Sequence, residues 1–427
     1  MPAHTHFVRK VHLAKVIAPA DRPVQDLARQ GAHECLGRGD ALEGRAWLAR
    51  HLGRGHIEGG IVGHDDKIPA GRPLVDAGMA LPVLSHNPTI LGGWALRVVA
   101  TDPWDLVMPG VEALGRAGIL VDVLPAGLDD RALAEGARNA DVLLVGIRPL
   151  NRQVIERLPA VRLLVRCGTG FDIIDVAAAT ERGIRIANVP DYCVDEVADH
   201  TLLLLLAAAR RVRQFALSWE LDGRWEKLDY PDVHRLRGRT LGLVGLGRVA
   251  SEVARRARSF GLKVIAAAPR LDPRRLSTMG VEAVELDDLM RRSDIISLHC
   301  PLTPSTIGLL NDVAFSRMRP GVVIVNTSRG PLIDLGALER ALDAGVVAAA
   351  GLDVVEGEPE PVAARRLLDR RNVLVTPHVA WYSREALSDL GSSVADEVLR
   401  YDHGKPPRSL VNPEVMHMGA LAGEGHT

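Results

Sequence analysis

The chain has 427 residues, of which 47% are hydrophobic, 25% are charged and 4% are aromatic. This length is enough for two domains, because domains usually run to roughly 100–200 residues. The 52 basic residues are balanced by 53 acidic residues, so the chain lacks the basic excess that would bind nucleic acid through bulk charge.

The cysteines and the apolar runs indicate the compartment. The four cysteines are Cys35, Cys167, Cys193 and Cys300, and no two of them form a CxxC pair. We therefore expect neither a zinc site nor a disulfide framework, and a reducing compartment is favoured. The longest apolar run, residues 202–209, is shorter than the roughly 20 residues of a membrane-spanning helix. The N-terminus shows no secretory signal. We therefore expect a cytoplasmic protein without membrane contact.

Residues 1–93 differ from the rest of the chain and are interpreted as an N-terminal extension without an assigned role. They contain eight of the fifteen histidines, and their apolar spacing is irregular. A helix within residues 24–52 is weakened by its glycines. His51, His56 and His64 lie near Asp65, but their spacing is not the i, i+4 pattern of helical metal ligands. We expect solvated loop residues there and no metal site.

From Trp94 the sequence alternates between short apolar strands and helices. The strands are ALRVVA, ILVDVL, DVLLVG, RLLVRC and RIANV, and helices are predicted at about 129–139 and 151–157. Strands that are apolar on both faces and alternate with helices predict a parallel sheet covered by helices on both sides. The first domain is therefore predicted over residues 94–194.

A long apolar helix, predicted from about Asp195 to Arg213, connects this array to a second one. Arginines at its end suit a helix C-terminus. The second array runs from RTLGLVGLG to NVLVTPH, includes a helix from Arg248 to Phe260, and predicts a domain over residues 195–383. A helix from Arg384 to Tyr401 is expected to cross back, so residues 384–413 complete the first domain and 414–427 form a tail. The predicted fold is α/β with two doubly wound parallel sheets.

The segment Gly245-Leu246-Gly247-Arg248-Val249-Ala250 lies between a predicted strand and a predicted helix, as a dinucleotide-binding motif requires. The first glycine permits the tight turn, and the second lets the backbone approach the pyrophosphate at the helix N-terminus. Ala250 replaces the third glycine. The strand and helix on either side favour dinucleotide binding over a plain tight turn.

The next strand lacks the acidic residue that normally binds the ribose hydroxyls. Ala268 stands at the position expected for that residue. Arg270, Arg274 and Arg275 are available to a 2′-phosphate, although arginines on an exposed turn are equally typical of a solvated loop. The choice between NAD and NADP therefore stays open.

Three later strands of this array end in polar residues. The segments are Asn326–Gly330, Gly351–Pro359 and Thr376–His378, and open α/β sheets bind ligands at such strand ends. A histidine can act as the base in alcohol oxidation, a carboxylate behind it orients the ring and favours its protonated form, and a guanidinium can hold a substrate carboxylate. An arginine, a carboxylate and a histidine together indicate hydride-transfer chemistry.

The span from about Trp94 to Pro413 resembles the D-isomer-specific 2-hydroxyacid dehydrogenases. The resemblance rests on RCGTGFDIID, VGLGRVA, HCPLTPSTIGLLN, VNTSRGPLID, GLDVVEGEP and TPHVAWYS. It implies a flavodoxin-like substrate domain and a Rossmann dinucleotide-binding domain. Within the family, TPHVAWYSREA and LVGLGRVASEVARRARSFG most resemble the C-terminal-binding-protein branch. The N-terminal extension and Ala268 depart from the family pattern.

The resemblance implies roles for individual residues. Arg329 matches the substrate-binding arginine, Glu358 the carboxylate partner and His378 the general acid/base. The residues implied to bind substrate are Arg166, Thr169, Gly170 and Trp381. The residues implied to bind the cofactor are Val197, Gly245, Gly247, Arg248, Val249, Ala268, Arg270, His299, Cys300, Pro301, Thr306, Thr327, Ser328, Arg329, Asp353, His378 and Ala380.

The function expected on this basis is reversible reduction of a 2-oxo acid to a D-2-hydroxy acid with NADH or NADPH. Trp381 suggests an apolar or thioether-bearing substrate, whereas formate- or phosphite-type relatives are weaker alternatives. The resemblance also implies a homodimer with contacts near 219–230. A second hypothesis is a dinucleotide-sensing regulator with little or no turnover, but such a protein has no need for an intact Arg–Glu–His set.

Overall fold

The computed structural model of this chain describes residues 96–223, 225, 233–358 and 365–418. The predicted N-terminal extension, with the 24–52 helix, the histidine cluster and Cys35, lies outside the described residues. The same holds for the last nine residues of the predicted tail.

The first sheet is a five-stranded parallel sheet with the order β2-β1-β3-β4-β5. Its strands are β1 (Val98–Ala100), β2 (Val121–Val123), β3 (Val142–Val145), β4 (Leu163–Arg166) and β5 (Arg185–Asn188). Its helices are α1 (Met108–Arg116), α2 (Asp130–Gly136), α3 (Arg152–Glu156) and α4 (Val176–Glu181). This strand order is that of flavodoxin-like sheets.

Both faces of the first sheet are buried, which explains its continuous apolar strands. Val98 and Leu144 belong to the core on one face, whereas Val99 and Leu143 belong to the core on the other. Adjacent residues of a strand point to opposite faces, so a strand buried on both sides needs apolar residues at successive positions.

The connection between the sheets is two helices, not the one long helix predicted. Helix α5 spans Val194–Ala209 and α6 spans Val212–Asp222. Between them Arg211 has a φ of 55°, a left-handed conformation that ends the first helix. The predicted end at Arg213 was therefore wrong. Neither a glycine nor a proline occurs at this bend, so the residues that usually indicate a helix end were absent there.

The second sheet has seven parallel strands in the order β12-β11-β10-β9-β6-β7-β8. Its strands are β6 (Thr240–Val244), β7 (Lys263–Ala267), β8 (Val281–Ala283), β9 (Ile295–Leu298), β10 (Val322–Asn326), β11 (Val347–Leu352) and β12 (Val373–Val375). Its helices are α7 (Arg248–Ser259), α8 (Pro273–Met279), α9 (Leu286–Arg292), α10 (Asp312–Ser316), α11 (Leu335–Asp343) and α12 (Arg365–Leu368). The order reverses between β6 and β9, as in dinucleotide-binding folds.

The last long helix returns to the first sheet. Helix α13 (Arg384–Asp402) packs against α1, and the short helix α14 (Val415–Met418) follows. Asn412 accepts a hydrogen bond from the Ile186 N–H at 2.9 Å, so the segment after α13 contacts β5. The prediction of two parallel-sheet α/β units is confirmed. None of the helices in the described ranges is long and apolar enough to cross a membrane.

The contact between α1 and α13 predicts opposite effects of alanine at two helical glycines. A Cβ at Gly391 would lie 2.6 Å from the Pro109 carbonyl oxygen, whereas a Cβ at Gly115 would meet no atom within 4 Å. We expect Gly391→Ala to lower the free energy of unfolding by about 1–3 kcal/mol, because backbone atoms must move apart.

The matched variant Gly115→Ala should leave stability unchanged or raise it by roughly 0.5–1 kcal/mol, since alanine restricts the unfolded chain. Urea unfolding of both variants measures the difference. Equal stability of the two variants would contradict the packing described for α1 and α13.

Candidate active site

The glycine-rich turn lies between β6 and α7. Gly245 has a φ of 94°, and a Cβ there would lie 2.8 Å from the His299 carbonyl oxygen. Gly247 is the N-cap of α7, and a Cβ there would meet no atom within 4 Å among the described residues. Ala250 is buried in the helix–sheet core. The turn thus leaves open space at a helix N-terminus, where unpaired N–H groups and the helix dipole favour an anion.

The residues directly after β7 include an arginine, and the first carboxylate after the strand caps a helix. Ala268 follows the strand and is half-buried, and Arg270 is exposed two residues later. Asp272 accepts a hydrogen bond from the Arg274 N–H at 2.9 Å and caps α8. The one nearby carboxylate in sequence is therefore engaged in capping a helix.

Several other residues predicted to bind the cofactor lie on the loops after β9 and β10 and near the start of two helices, whereas Asp353, His378 and Ala380 follow β11 and β12. Ser328 Oγ donates to the Cys300 carbonyl at 2.7 Å, and Thr306 Oγ1 donates to the Pro301 carbonyl at 2.8 Å. Thr327 shares a 2.8 Å hydroxyl contact with Thr201 of α5. Val197 lies on α5, and Arg248 and Val249 begin α7. These contacts bring the two loops and α5 together.

His299 is held neutral beside the glycine turn. Burial lowers the pKa of its imidazole to about 4, and Nε2 lies 2.9 Å from the Ser297 hydroxyl. A neutral ring at this position adds no positive charge near a bound nucleotide.

The predicted arginine, carboxylate and histidine follow three neighbouring strands. Arg329 follows β10, Glu358 follows β11 and His378 follows β12. His378 Nδ1–H donates to Glu358 Oε2 at 2.6 Å, and Glu358 Oε1 accepts the Val355 N–H. Nε2 of His378 has no hydrogen-bond partner among the described residues. The ring is therefore oriented by one nitrogen, and the other is available for proton transfer.

The backbone at His378 is held in a rare conformation by Asp353. His378 has a φ of 54°, and its N–H donates to the Asp353 carbonyl at 2.8 Å. The buried Asp353 carboxylate accepts hydrogen bonds from the Val379 and Ala380 N–H groups at 3.0 and 2.9 Å and from the Thr376 hydroxyl at 2.6 Å. These bonds stabilise a left-handed residue that would otherwise be strained.

A polar contact that sequence analysis missed links this loop to α5. His200 Nε2 lies 2.8 Å from Thr376 Oγ1 and 3.5 Å from Asp353 Oδ1. A histidine inside an apolar helix gave no signal of a partner 176 residues away.

Trp381 lies directly beside the histidine. Its Nε1–H donates to the His378 carbonyl at 2.9 Å, and its ring packs edge-to-face on Tyr382 with centroids 5.5 Å apart. Its apolar surface also packs against the core of the first sheet. Trp381 therefore connects the histidine loop to the first sheet.

Arg329 reaches across to the first sheet. Asn326, fully buried, fixes the Arg329 backbone by donating to its carbonyl at 2.8 Å. The guanidinium donates through Nε to Asp172 Oδ1 at 2.9 Å and through Nη1 to the Ser328 carbonyl at 2.8 Å. A Cβ at Gly170 would lie 1.4 Å from Nη2, so a larger residue there would displace the guanidinium from this position. The structure thus brings Arg329 together with the predicted 169–170 loop, and sequence analysis missed Asp172.

Arg166 lies beneath that loop. Its side chain is buried, and Nε donates to the Gly170 carbonyl at 2.9 Å while Nη1 donates to the Cys167 carbonyl. Thr169 is held by its neighbours, since its carbonyl accepts from Asn188 Nδ2 at 2.7 Å. Arg166 therefore supports the loop backbone through Nε and Nη1, and its contact with substrate stays a prediction.

The fold and this site are those of a dinucleotide-binding α/β protein in which a histidine–glutamate pair and an arginine follow neighbouring strands. Residues 202–380 match the model of the D-isomer specific 2-hydroxyacid dehydrogenase, NAD binding domain. The chain is 37% identical over 290 residues to a glyoxylate reductase of Korarchaeum cryptofilum, covering 67% of this chain and 87% of that protein. The chain belongs to the D-isomer-specific 2-hydroxyacid dehydrogenase family.

Two further comparisons extend the likeness. The chain is 35% identical over 317 residues to a D-3-phosphoglycerate dehydrogenase of Archaeoglobus fulgidus, covering 74% of this chain but only 59% of that longer protein. A D-lactate dehydrogenase from Aquifex aeolicus, solved with NAD and lactic acid, is 26% identical with a TM-score of 0.66, covering 74% of this chain and 98% of that one. These similarities support a nicotinamide dinucleotide as cofactor, and the C-terminal-binding-protein branch stays a prediction.

The partly buried His299 predicts acid sensitivity with a defined sign. Its folded pKa of about 4 lies below the usual 6.5, so the unfolded chain binds the proton more readily between these values. Relative to His299→Gln, the wild type should lose roughly 1 kcal/mol of unfolding free energy per pH unit as the pH falls from 6.5 to 4.

Urea unfolding at pH 7 and pH 5 measures this loss. Above pH 7 the difference between the two proteins should be constant, because His299 is then neutral in both states. A difference that stays the same at pH 5 would contradict a lowered pKa of His299.

Proposed function

We propose that this protein reversibly reduces a 2-oxo acid to a D-2-hydroxy acid. The observation that carries the proposal is the 2.6 Å pair of His378 and Glu358 beside Arg329, at the same sheet edge as the glycine turn. A dinucleotide bound at the helix N-terminus brings its nicotinamide to strand ends of the same sheet. The family membership supports the same reaction class.

The bound cofactor would supply a hydride to the carbonyl carbon of the oxo acid. His378 would deliver a proton from Nε2 to the carbonyl oxygen and take it back in the oxidation direction. Glu358 holds the ring by accepting from Nδ1–H, and its negative charge lies next to the imidazolium that forms during oxidation. Arg329 and the N–H groups of residues 169 and 170 would hold the substrate carboxylate.

The substrate proposed is an apolar or thioether-bearing 2-oxo acid. Trp381 supports this, since it lies within hydrogen-bond distance of the His378 carbonyl and presents its indole beside the reacting residue. Phe171, exposed and next to Gly170, adds apolar surface on the first-sheet side.

The nicotinamide cofactor proposed includes NADP as well as NAD. Ala268 presents no carboxylate to repel a 2′-phosphate, and the exposed Arg270 lies two residues further along. A guanidinium pairs readily with a phosphate.

A homodimer is also proposed. Trp219 on α6 is 54% exposed and Trp225 is 82% exposed, with ring centroids 5.1 Å apart in an edge-to-face contact. Leu203 on α5 is 56% exposed. Exposed aromatic and aliphatic side chains of this size favour contact with a second copy.

Oxidation of NADH or NADPH at 340 nm with a panel of 2-oxo acids tests the activity. We expect His378→Ala to lower kcat by roughly 10²–10⁴-fold, the usual range for a lost general acid/base. Glu358→Gln should lower kcat less, because the glutamine oxygen can still accept from Nδ1–H. Some loss is expected because glutamine carries no charge to stabilise the imidazolium.

The exposed His403, which caps the end of α13, gives a matched control. His403→Ala should keep wild-type rates. If the wild type binds both cofactors but oxidises neither, the dehydrogenase proposal fails and the dinucleotide-sensing regulator replaces it.

Ala268→Asp tests the cofactor choice. A carboxylate there would accept hydrogen bonds from the ribose hydroxyls and repel a 2′-phosphate, so the NADH/NADPH ratio of kcat/KM should rise by about tenfold or more. The comparison variant Arg270→Ala should lower kcat/KM for NADPH alone. Unchanged ratios in both variants would contradict recognition of the ribose at this strand end.

A further inference from the structure

We propose that Asp172 is a positioning residue for the substrate arginine: it fixes the orientation in which Arg329 receives the carboxylate of the oxo acid. This inference rests on the proposed function and deepens it. Asp172 belongs to the loop after β4 of the first sheet, whereas Arg329 follows β10 of the second. Their 2.9 Å contact therefore spans the cleft between the sheets.

The guanidinium of Arg329 is restrained on three sides. Asp172 accepts from Nε, the Ser328 carbonyl accepts from Nη1, and the Gly170 backbone lies against Nη2. Within the described part of the chain, no acceptor is bonded to Nη2. Because the guanidinium is planar, fixing Nε and Nη1 also fixes the direction of the Nη2 hydrogens. Nη2 is thus presented, already oriented, beside the loop expected to hold the substrate carboxylate.

Asp172 also balances the charge of this part of the cleft. Arg329 repels the buried guanidinium of Arg166, and Asp172 attracts it. The Arg329 and Asp172 side chains are only 27% and 28% exposed, so water screens their interaction less than at an open surface. Without an acceptor at residue 172, Arg329 Nε would lose its hydrogen bond, and the guanidinium would be free to turn away from Arg166.

Two variants separate the effect of orienting Arg329 from the effect of the negative charge of Asp172. Asp172→Asn keeps an oxygen that accepts from Nε but removes the charge, whereas Asp172→Ala removes both. Since the proposal assigns the effect to orientation, we expect Asp172→Ala to raise KM for the 2-oxo acid by about tenfold, the scale of one charge-assisted hydrogen bond at a partly exposed site. Asp172→Asn should recover most of that loss, and kcat should change less than KM.

The control is Glu181→Ala, which removes an exposed arginine–carboxylate pair from the same sheet. Glu181 lies on α4 and binds Arg152 at 2.6 Å. This variant should keep KM and kcat at wild-type values. The dissociation constant of NADH, from Trp fluorescence, should be unchanged in all variants. A wild-type KM in Asp172→Ala, or equal losses in the alanine and asparagine variants, would overturn the proposal.

Calorimetric titration of oxalate into the protein–NADH complex tests Asp172 without turnover. Oxalate has the paired oxygens of a 2-oxo acid, so its affinity should fall about tenfold in Asp172→Ala and much less in Asp172→Asn. If oxalate binding follows this order but no 2-oxo acid is reduced, the catalytic proposal alone fails. If oxalate binds equally to wild type and Asp172→Ala, the positioning role fails whatever the activity.

Discussion

The geometry of the candidate site depends on one buried carboxylate, that of Asp353. It lies just after β11 and is 1% exposed, and its oxygens and carbonyl accept hydrogen bonds from residues 376, 378, 379 and 380. A buried carboxylate must be fully hydrogen-bonded, because leaving it unpaired costs several kcal/mol (roughly 1–3 for a lost bond, more for a charge). The loop after β12 therefore wraps its N–H groups around the Asp353 carboxylate. In this loop His378 takes a positive φ, and its ring contacts Glu358.

The second constraint is that the site is shared between two sheets. The second sheet supplies the glycine turn, Arg329, Glu358 and His378, while the first supplies the 169–170 loop and Asp172. One polar contact between the two units joins Arg248 Nε to Asp191 Oδ1 at 2.7 Å.

Much of this arrangement could be predicted from local sequence. The apolar strands, the glycine turn and the polar residues after β10, β11 and β12 each occupy short segments whose pattern reflects burial on two faces or a position at a strand end. The break at Arg211 could not be predicted, because the residue adopts a left-handed conformation without a glycine or an asparagine to mark it. The hydrogen bond from Arg166 Nε to the Gly170 carbonyl was also not predicted, because it depends on how the loop folds back over β4.

The sequence by itself determined the α/β class and the dinucleotide motif, because these depend on periodicity and on residues adjacent in the chain. The choice of the arginine, the glutamate and the histidine rested on the family resemblance. Only the tertiary structure decided which distant residues complete them. Asp172 and Arg329 are separated by 157 residues, and His200 and Thr376 by 176. Such contacts arise from how the sheets and α5 pack. A single sequence does not indicate that two side chains so far apart in the chain will meet.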